Sequence, residues 1–199
     1  LIAIILLIAL IAAVFILISQ RPEYPDINTP IPWKGNENAK VLVEEFSDFQ
    51  CPACISTEPY VEQIFNQYKD RIKFQYRQFP LPMHQYGRPA AEASICSADF
   101  GKFWEYHNAL FKANGKLDSE SLVKIAKTVG IEDAEFKNCL YSGKKQALVQ
   151  NEIDEGSQRG VEGTPTFFVN KEKVEGTRLS EIIANLKSRI EKKLKEAEQ

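Results

Sequence analysis

Two cysteines separated by two residues, Cys51 and Cys54, constrain this chain more than any other feature. They follow an apolar stretch, residues 41–46, that predicts a β-strand, and they open a segment with the pattern of an α-helix. The N-terminus of a helix stabilises a thiolate through its unpaired backbone N–H groups and the helix dipole. Strand, cysteine pair and helix in this order favour a disulfide that opens and closes.

The two cysteines are expected to have different roles. Cys51 would lie at the helix N-terminus, where a lowered pKa makes it the attacking thiolate. Cys54 would lie one turn inward and act as the less exposed resolving thiol. Pro52 in the first helical turn is tolerated, because its missing N–H would have no partner there.

Half of a zinc site and a purely structural disulfide are the alternatives for this motif. Zinc usually requires four ligands, and the chain has no second close pair of cysteines or histidines. We therefore predict redox chemistry without a metal or another cofactor, and structural roles for the two histidines. The remaining candidate ligands are scattered: His84, Cys96, His107 and Cys139.

Residues 1–19 form an uncharged run of Leu, Ile, Ala, Val and Phe that ends at a serine. As a helix this run would be about 28 Å long, close to the hydrocarbon thickness of a bilayer. A cleaved signal peptide usually has an apolar region of about 7–15 residues that ends at small residues, and residues 15–18 give no such exit. We predict an uncleaved transmembrane signal anchor, with a cleaved signal peptide and a buried core helix as alternatives.

Either targeting interpretation places residues 20–199 outside the cytoplasm, where disulfides persist. The predicted location is the cell membrane, with a single span and an extracytoplasmic catalytic domain. The net charge of −2 provides no basic footprint for nucleic acid, so nucleic acid is not an expected partner.

The predicted elements follow the order β-α-β, a helical block, and then β-β-α. Residues 72–79 alternate between apolar and polar side chains and predict the second strand, which would pair in parallel with the first. We predict a short additional strand near residues 31–33. The predicted regions are a signal anchor (1–19), a linker (20–38), a two-part α/β domain (39–83 and 160–199) and an inserted helical domain (84–159).

Thr164 and Pro165 stand directly before another predicted strand, residues 166–169. An X-Pro bond is the one place where a cis peptide is cheap, and a proline after Gly163 and a β-branched residue often marks a tight turn. An ordinary strand start explains the same residues. The signal becomes strong only in combination with the upstream cysteine pair.

Taken together, these motifs resemble the DsbA-like branch of the thioredoxin superfamily over about residues 39–190. This resemblance implies a thioredoxin-like fold with an inserted α-helical domain. It also implies that a cis Pro165 faces the disulfide and that a substrate peptide binds beside Thr164, Pro52 and Ala53. The residues that carry the resemblance are Cys51-Pro52-Ala53-Cys54, Phe79-Pro80-Leu81-Pro82, and the segments 101–107 and 160–170.

Glu45 interrupts the apolar strand six residues before Cys51. In the DsbA-like family an acidic residue at this place lies beneath the disulfide and assists proton transfer to or from the resolving thiol, so the resemblance implies that role for Glu45. A buried carboxyl would have a raised pKa, which suits proton transfer. The alternative is that Glu45 or Glu44 points into solvent.

Cys96 and Cys139 fall on two predicted helices of the inserted block. An even number of cysteines outside the cytoplasm favours full pairing, and a local Cys51–Cys54 bond leaves these two as a candidate structural disulfide. Closing a loop of that size would stabilise the domain by about 4 kcal/mol in the chain-entropy model. Two buried free thiols, or a role in relaying electrons, are the alternatives.

The resemblance implies an oxidoreductase that introduces disulfides into exported, unfolded proteins with free thiols. It also implies a membrane partner of the DsbB or VKOR type that reoxidises the cysteine pair. Two residues leave the direction of electron flow open: Ala53 replaces the histidine of the strongly oxidising members, and Thr164 also occurs in isomerase and reductase relatives. A reductase or isomerase is therefore the alternative function, and a non-catalytic, chaperone-like peptide binder is a third.

Overall fold

The structure, a computed structural model, describes residues 31–199. The predicted signal anchor, residues 1–19, and the first part of the predicted linker lie outside the described residues. Within residues 31–199, no helix combines the length and the apolar character needed to cross a bilayer. The anchor therefore stays a prediction from the sequence.

A five-stranded mixed sheet forms the centre of the molecule. Strand β2 lies in the middle, parallel to β3 and antiparallel to β4, while β1 and β5 form the two edges. The parallel pair β2 and β3 is the β-α-β unit that the sequence predicts. The strands are β1 (Trp33–Gly35), β2 (Val41–Ser47), β3 (Ile72–Gln78), β4 (Thr166–Val169) and β5 (Glu172–Lys173).

Seven helices surround this sheet in the described part of the chain. Along the chain, helix α1 connects β2 to β3, five helices follow β3 and precede β4, and the last helix follows β5. This is the α/β fold with a helical insertion that the resemblance implies. The helices are α1 (Pro52–Tyr68), α2 (Gly87–Ala98), α3 (Phe103–Lys112), α4 (Ser119–Thr128), α5 (Asp133–Ser142), α6 (Gln146–Gln158) and α7 (Leu179–Ala197).

The two faces of the sheet bury different side chains, because successive residues of a strand point to opposite sides. Val43 lies on the face covered by α1 and α7, and by alternation Glu45 and Ser47 share that face. Phe46 lies on the opposite face against α6, where a Cβ on Gly156 would come within 2.9 Å of its ring. The first face packs these residues together: Val41, Val43, Val61, Ile64, Phe65, Phe74, Phe167, Leu186 and Ile190.

Three element boundaries have local causes. Strand β1 begins at Trp33 inside the predicted linker, where the sequence predicts a strand near residues 31–33, because it pairs antiparallel with β3. Helix α2 begins at Gly87, since Pro89 falls in its first turn, where no N–H is needed. Helix α6 begins at Gln146, because Gly143 ends α5 in the left-handed conformation.

The inserted helices share a core of their own that continues to the sheet. A disulfide joins Cys96 on α2 to Cys139 on α5, with 5.9 Å between their Cα atoms. It closes a loop across a sequence separation of 43 residues, so it constrains the unfolded chain by about 4 kcal/mol in the chain-entropy model. Buried members of this core include Tyr106, Leu110, Leu122 and Phe136.

A buried ionic network attaches α6 to the sheet. The Arg77 side chain on β3 is 3% exposed, and its Nη1 lies 3.0 Å from Oε1 of Glu44 on β2. Arg77 also pairs with Glu152 and Glu155 on α6. Arg159, just after α6, reaches the second oxygen of Glu44 at 2.7 Å. Buried charges require such partners, and this network therefore fixes the insertion against the strands.

Candidate active site

Cys51 occupies the N-terminal boundary of α1, and Pro52 is the first helical residue. The Cys51 carbonyl accepts the first helical hydrogen bond from Ile55 at 3.0 Å. Cys51 and Cys54 are both free thiols in this structure, which therefore represents the reduced protein. Within residues 31–199, no group of His, Cys, Asp and Glu is arranged to hold a metal ion.

The surroundings of the two sulfurs give the two thiols different pKa values. A hydrogen bond from the Cys54 thiol, helped by contacts with Thr164 and the backbone N–H groups of Ala53 and Cys54, lowers the pKa of Cys51 from 9.0 to about 5. Burial, followed by the neighbouring Cys51, raises the pKa of Cys54 well above its ordinary value. At neutral pH the pair therefore holds one thiolate at Cys51 and one proton at Cys54.

The bond between Thr164 and Pro165 is cis, directly before β4. Because β4 pairs with β2, this turn lies beside the start of α1, and the Thr164 carbonyl oxygen is 3.5 Å from Sγ of Cys51. Pro165 is buried, whereas Thr164 and Ala53 are partly exposed and Pro52 is exposed. The structure thus places Thr164 beside Cys51, at the start of the helix that carries Pro52 and Ala53, the other two residues that the resemblance assigns to the substrate surface.

Glu45 is buried beneath this surface, with 1% of its area exposed. It lies opposite Tyr76 in the β2–β3 pairing. Burial raises the pKa of Glu45 from 4.5 to about 7, against the opposing effects of Ser47 and Lys34. The Tyr76 hydroxyl is close enough to Glu45 and to Cys54 for a charge on either to raise its own pKa. Glu45 is therefore a carboxyl that gains and loses a proton near physiological pH.

Glu58 is a second perturbed carboxyl, which the sequence analysis missed. Burial and the charge of Glu45 raise its pKa to about 9. Its place four residues after Cys54, on the same side of α1, was the available signal. It lines a cleft of about 420 Å³ together with Ile55, Pro59, Glu62, Asn108, Phe111 and Lys112.

Asp48 anchors the loop between β2 and Cys51, and sequence reasoning did not identify it. Its buried carboxylate accepts the backbone N–H groups of Gln50 and Leu81, each at 2.8 Å. Nδ1 of His84 lies 2.6 Å from the same carboxylate, so His84 serves this anchor instead of the sulfur chemistry. The loop that presents Cys51 is therefore held against the segment before α2.

His107 lies in an aromatic environment on α3 and stays neutral. It is 1% exposed, and its ring centroid lies 4.6 Å from that of Tyr76 and 5.6 Å from that of Phe49. Burial lowers the pKa of His107 to about 3. It packs behind the cysteine pair without carrying a charge at neutral pH.

A second cleft, of about 460 Å³, opens between α1 and the first turn of α7. Tyr60 on its wall is 57% exposed, which is unusual for a large aromatic side chain, and Leu179 is 36% exposed. This surface combines apolar walls with small hydroxyl groups. Its lining residues are Ser56, Thr57, Tyr60, Leu179, Ser180 and Ile183.

The family model described as Thioredoxin matches residues 28–188 of this chain. Among curated proteins, the chain is 32% identical over 145 residues to a Na(+)/H(+) antiporter NhaA 1 of Salinispora arenicola. The match covers 72% of this chain and 22% of the antiporter, so the chain spans about a fifth of that relative. The antiporter's name therefore describes a much longer protein than the matched part.

Two solved structures have the same fold over nearly their whole length. One is oxidised BdbD from Bacillus subtilis, with a TM-score of 0.74, 26% identity, and coverage of 86% of this chain and 96% of that chain. The other is a thioredoxin-like oxidoreductase from Silicibacter pomeroyi DSS-3, with a TM-score of 0.70 and 26% identity. It covers 83% of this chain and 95% of that chain.

Proposed function

Because this chain belongs to the thioredoxin family and is a DsbA-like thiol-disulfide oxidoreductase, we propose that it works as an oxidase that forms disulfides in exported proteins. The observation that carries this proposal is the asymmetry of the cysteine pair. Cys51 lies at a helix N-terminus beside the cis Thr164–Pro165 bond, with its pKa lowered to about 5. A stabilised Cys51 thiolate favours the reduced enzyme, which makes the oxidised enzyme an electron acceptor.

In the first step, a substrate thiolate attacks Sγ of Cys51 in the Cys51–Cys54 disulfide. A bond forms between the substrate sulfur and Cys51, the Cys51–Cys54 bond breaks, and Cys54 leaves with the electron pair. Cys54 then takes up a proton, because burial disfavours its thiolate. Glu45 is the proposed source of that proton, as a buried carboxyl with a pKa of about 7.

In the second step, another thiolate of the substrate attacks the substrate sulfur that is bonded to Cys51. A disulfide forms within the substrate, and Cys51 leaves as the thiolate that its surroundings stabilise. Two electrons have then moved from the substrate to the enzyme, which holds Cys51 as a thiolate and Cys54 as a thiol. We propose that a membrane oxidoreductase of the DsbB or VKOR type removes these electrons.

The proposed substrate is an extended, unfolded segment of an exported protein. The partly exposed Thr164 and Ala53 border the reactive sulfur, and the apolar cleft at Tyr60 and Leu179 lies along the same helix. An extracytoplasmic location, with residues 1–19 as a membrane anchor, is part of the proposal. The Cys96–Cys139 disulfide supports it, because structural disulfides persist mainly outside the cytoplasm.

Oxidation of a reduced, unfolded protein that carries paired cysteines tests this function. Oxidised enzyme is expected to remove two substrate thiols per molecule, and Cys51→Ser is expected to remove none. Cys54→Ser, with Cys51 first converted to a mixed disulfide with glutathione, should react with a substrate that carries a single cysteine. The substrate thiolate displaces glutathione, and a mixed disulfide between Cys51 and the substrate should accumulate, visible by mass spectrometry. Binding of the unfolded protein with no loss of thiols would contradict the proposal and favour a non-catalytic peptide binder.

A further inference from the structure

Three side chains beneath the cysteine pair carry buried polar atoms that make no hydrogen bond of ordinary length and angle among the described residues. These atoms are both carboxyl oxygens of Glu45, the Oγ of Ser47 and the hydroxyl of Tyr76. All three residues are at most 1% exposed. An unsatisfied buried polar group destabilises the fold, and native proteins contain few of them. A concentration of three at one place indicates that the polarity there serves the chemistry.

The strand geometry places these three side chains on one face of the sheet. Glu45 and Ser47 are two residues apart on β2, so their side chains point to the same side. Tyr76 is the direct partner of Glu45 on β3. Cys54 on α1 and Tyr76 belong to the same buried core. The polar groups thus lie in the layer between the sheet and the cysteine-bearing helix.

Ser47 has the central place among these groups. Its hydroxyl lies near enough to the Glu45 carboxyl, the Cys54 sulfur and the Tyr76 hydroxyl to favour the ionised form of each. A serine hydroxyl is at once a donor and an acceptor, so it can take one proton while it gives another. Neither Phe46 nor Asp48, its neighbours in sequence, points into this layer.

We propose that the Ser47 hydroxyl carries the proton between the Cys54 sulfur and the Glu45 carboxyl, an inference that rests on the disulfide exchange proposed above. When Cys54 attacks a mixed disulfide on Cys51, its S–H proton passes to Ser47 Oγ while the Ser47 proton passes to the Glu45 carboxylate. The Cys54–Cys51 bond forms and the bond from Cys51 to the partner sulfur breaks. The partner leaves as a thiolate with the electron pair. Substrate oxidation runs the proton path in reverse.

Charged and titratable groups from every neighbouring element face this path. Lys34 on β1 acts on Glu45 and Glu58 and favours their ionised forms. Glu58 comes from α1 and Tyr76 from β3, and the ring of His107 on α3 packs at a right angle to that of Tyr76. The pH dependence of the resolving step therefore reflects this group of residues together. Double substitutions are needed to determine how much each residue contributes.

The test uses reduced protein and oxidised glutathione, which together resolve the two steps. Cys51 first forms a mixed disulfide with glutathione, and Cys54 then releases that glutathione. Acid quenching and mass spectrometry count the reduced, mixed-disulfide and oxidised forms over time, across about pH 5 to 9. The variants are S47A, E45Q and their combination. S97A is the matched control, because Ser97 is equally buried but bonds within α2.

S47A is expected to slow the release of glutathione about tenfold near neutral pH and to leave mixed-disulfide formation unchanged. E45Q should act on the same step, and the double variant should be no slower than the slower single variant, because both residues serve one path. S97A should match the wild type. Release at the wild-type rate in S47A, or factors that multiply in the double variant, would overturn the proposal.

Two further comparisons, of S47T with S47V and of the wild type with the Ser47 variants, distinguish the proton relay from the disulfide exchange on which it rests. S47T and S47V have nearly the same shape and suit a strand, but only S47T retains a hydroxyl, so S47V alone is expected to be slow. This pair replaces S47A if that variant does not fold. Failure of the wild type to release glutathione would contradict the proposed function itself, whereas normal wild-type release with no effect at Ser47 would contradict the relay alone.

Discussion

At the scale of single residues, two chemically identical thiols acquire different pKa values because they occupy different positions along one helix turn. Cys51 accepts a hydrogen bond from the Cys54 thiol and also interacts with Thr164 and with two backbone N–H groups. Cys54, in contrast, is buried in the core. The first environment favours a thiolate and the second opposes it. This difference assigns attack to Cys51 and resolution to Cys54, without any charged neighbour as the main cause.

We expect alkylation of the reduced protein by iodoacetamide to report the Cys51 thiolate. The alkylation rate should rise with a midpoint near pH 5, well below the 9.0 of an ordinary cysteine. Cys54 should stay unmodified until the protein unfolds, which peptide mapping would show. A midpoint near pH 9 for Cys51 would contradict the assignment, and Cys51→Ser is the control for other reactive groups.

Glu45 gives a stability prediction whose sign follows from its raised pKa. Folding favours its protonated form, so its contribution is fully present below pH 4.5 and is lost as the pH rises through about 7. E45Q has no ionisable group at this position, so it should not show this loss of stability as the pH rises. Urea unfolding of the reduced proteins is expected to show E45Q gaining on the wild type by on the order of 3 kcal/mol above pH 7. Parallel pH profiles for the two proteins would contradict the burial of an ionisable Glu45.

At the scale of elements, buried charge joins the inserted helices to the sheet. Arg77 on β3 is shared by Glu44 on β2 and by Glu152 and Glu155 on α6. The helix approaches closely because Gly156 leaves room for Phe46. The insertion is thus fixed at the end of the strands from which Cys51 is presented.

Arg77→Leu should destabilise the protein by about 3–5 kcal/mol, because it leaves the buried Glu152 without its cation and leaves Glu44 with Arg159 alone. Chemical denaturation measures the effect. Arg71→Leu is the matched control, since the Arg71–Glu198 pair is about half exposed and should contribute less than about 1 kcal/mol. Equal effects of the two substitutions would show that the Arg77 network is not buried in solution.

At the scale of the whole molecule, local patterns in the sequence were sufficient for the order of strands and helices. The alternation of residues 72–79 and the helix that follows Cys51 depend on neighbours a few positions away, so they could be identified without a structure. The placement of Pro165 at the cysteines required a known family, because the two lie more than a hundred residues apart. The structure supplies that proximity through the pairing of β2 with β4.

The polar residues of the interior could not be derived in this way. Asp48, Glu58 and Arg77 read as ordinary surface charges, since their burial depends on partners from distant elements. The outlier Glu45 could be identified only because it interrupts an apolar strand. Charges that pair across the fold leave no periodic signal in the chain, and only the packed structure reveals them.

Whether electrons flow from the substrate to this enzyme depends on how strongly the molecule stabilises its reduced form. Equilibration of the Cys51–Cys54 couple with glutathione buffers measures that stabilisation as a reduction potential. We predict a reduction potential well on the oxidising side of that of thioredoxin, toward the value of about −120 mV known for DsbA. A value near thioredoxin's, about −270 mV, would contradict the oxidase assignment and make the protein a reductase on the same fold.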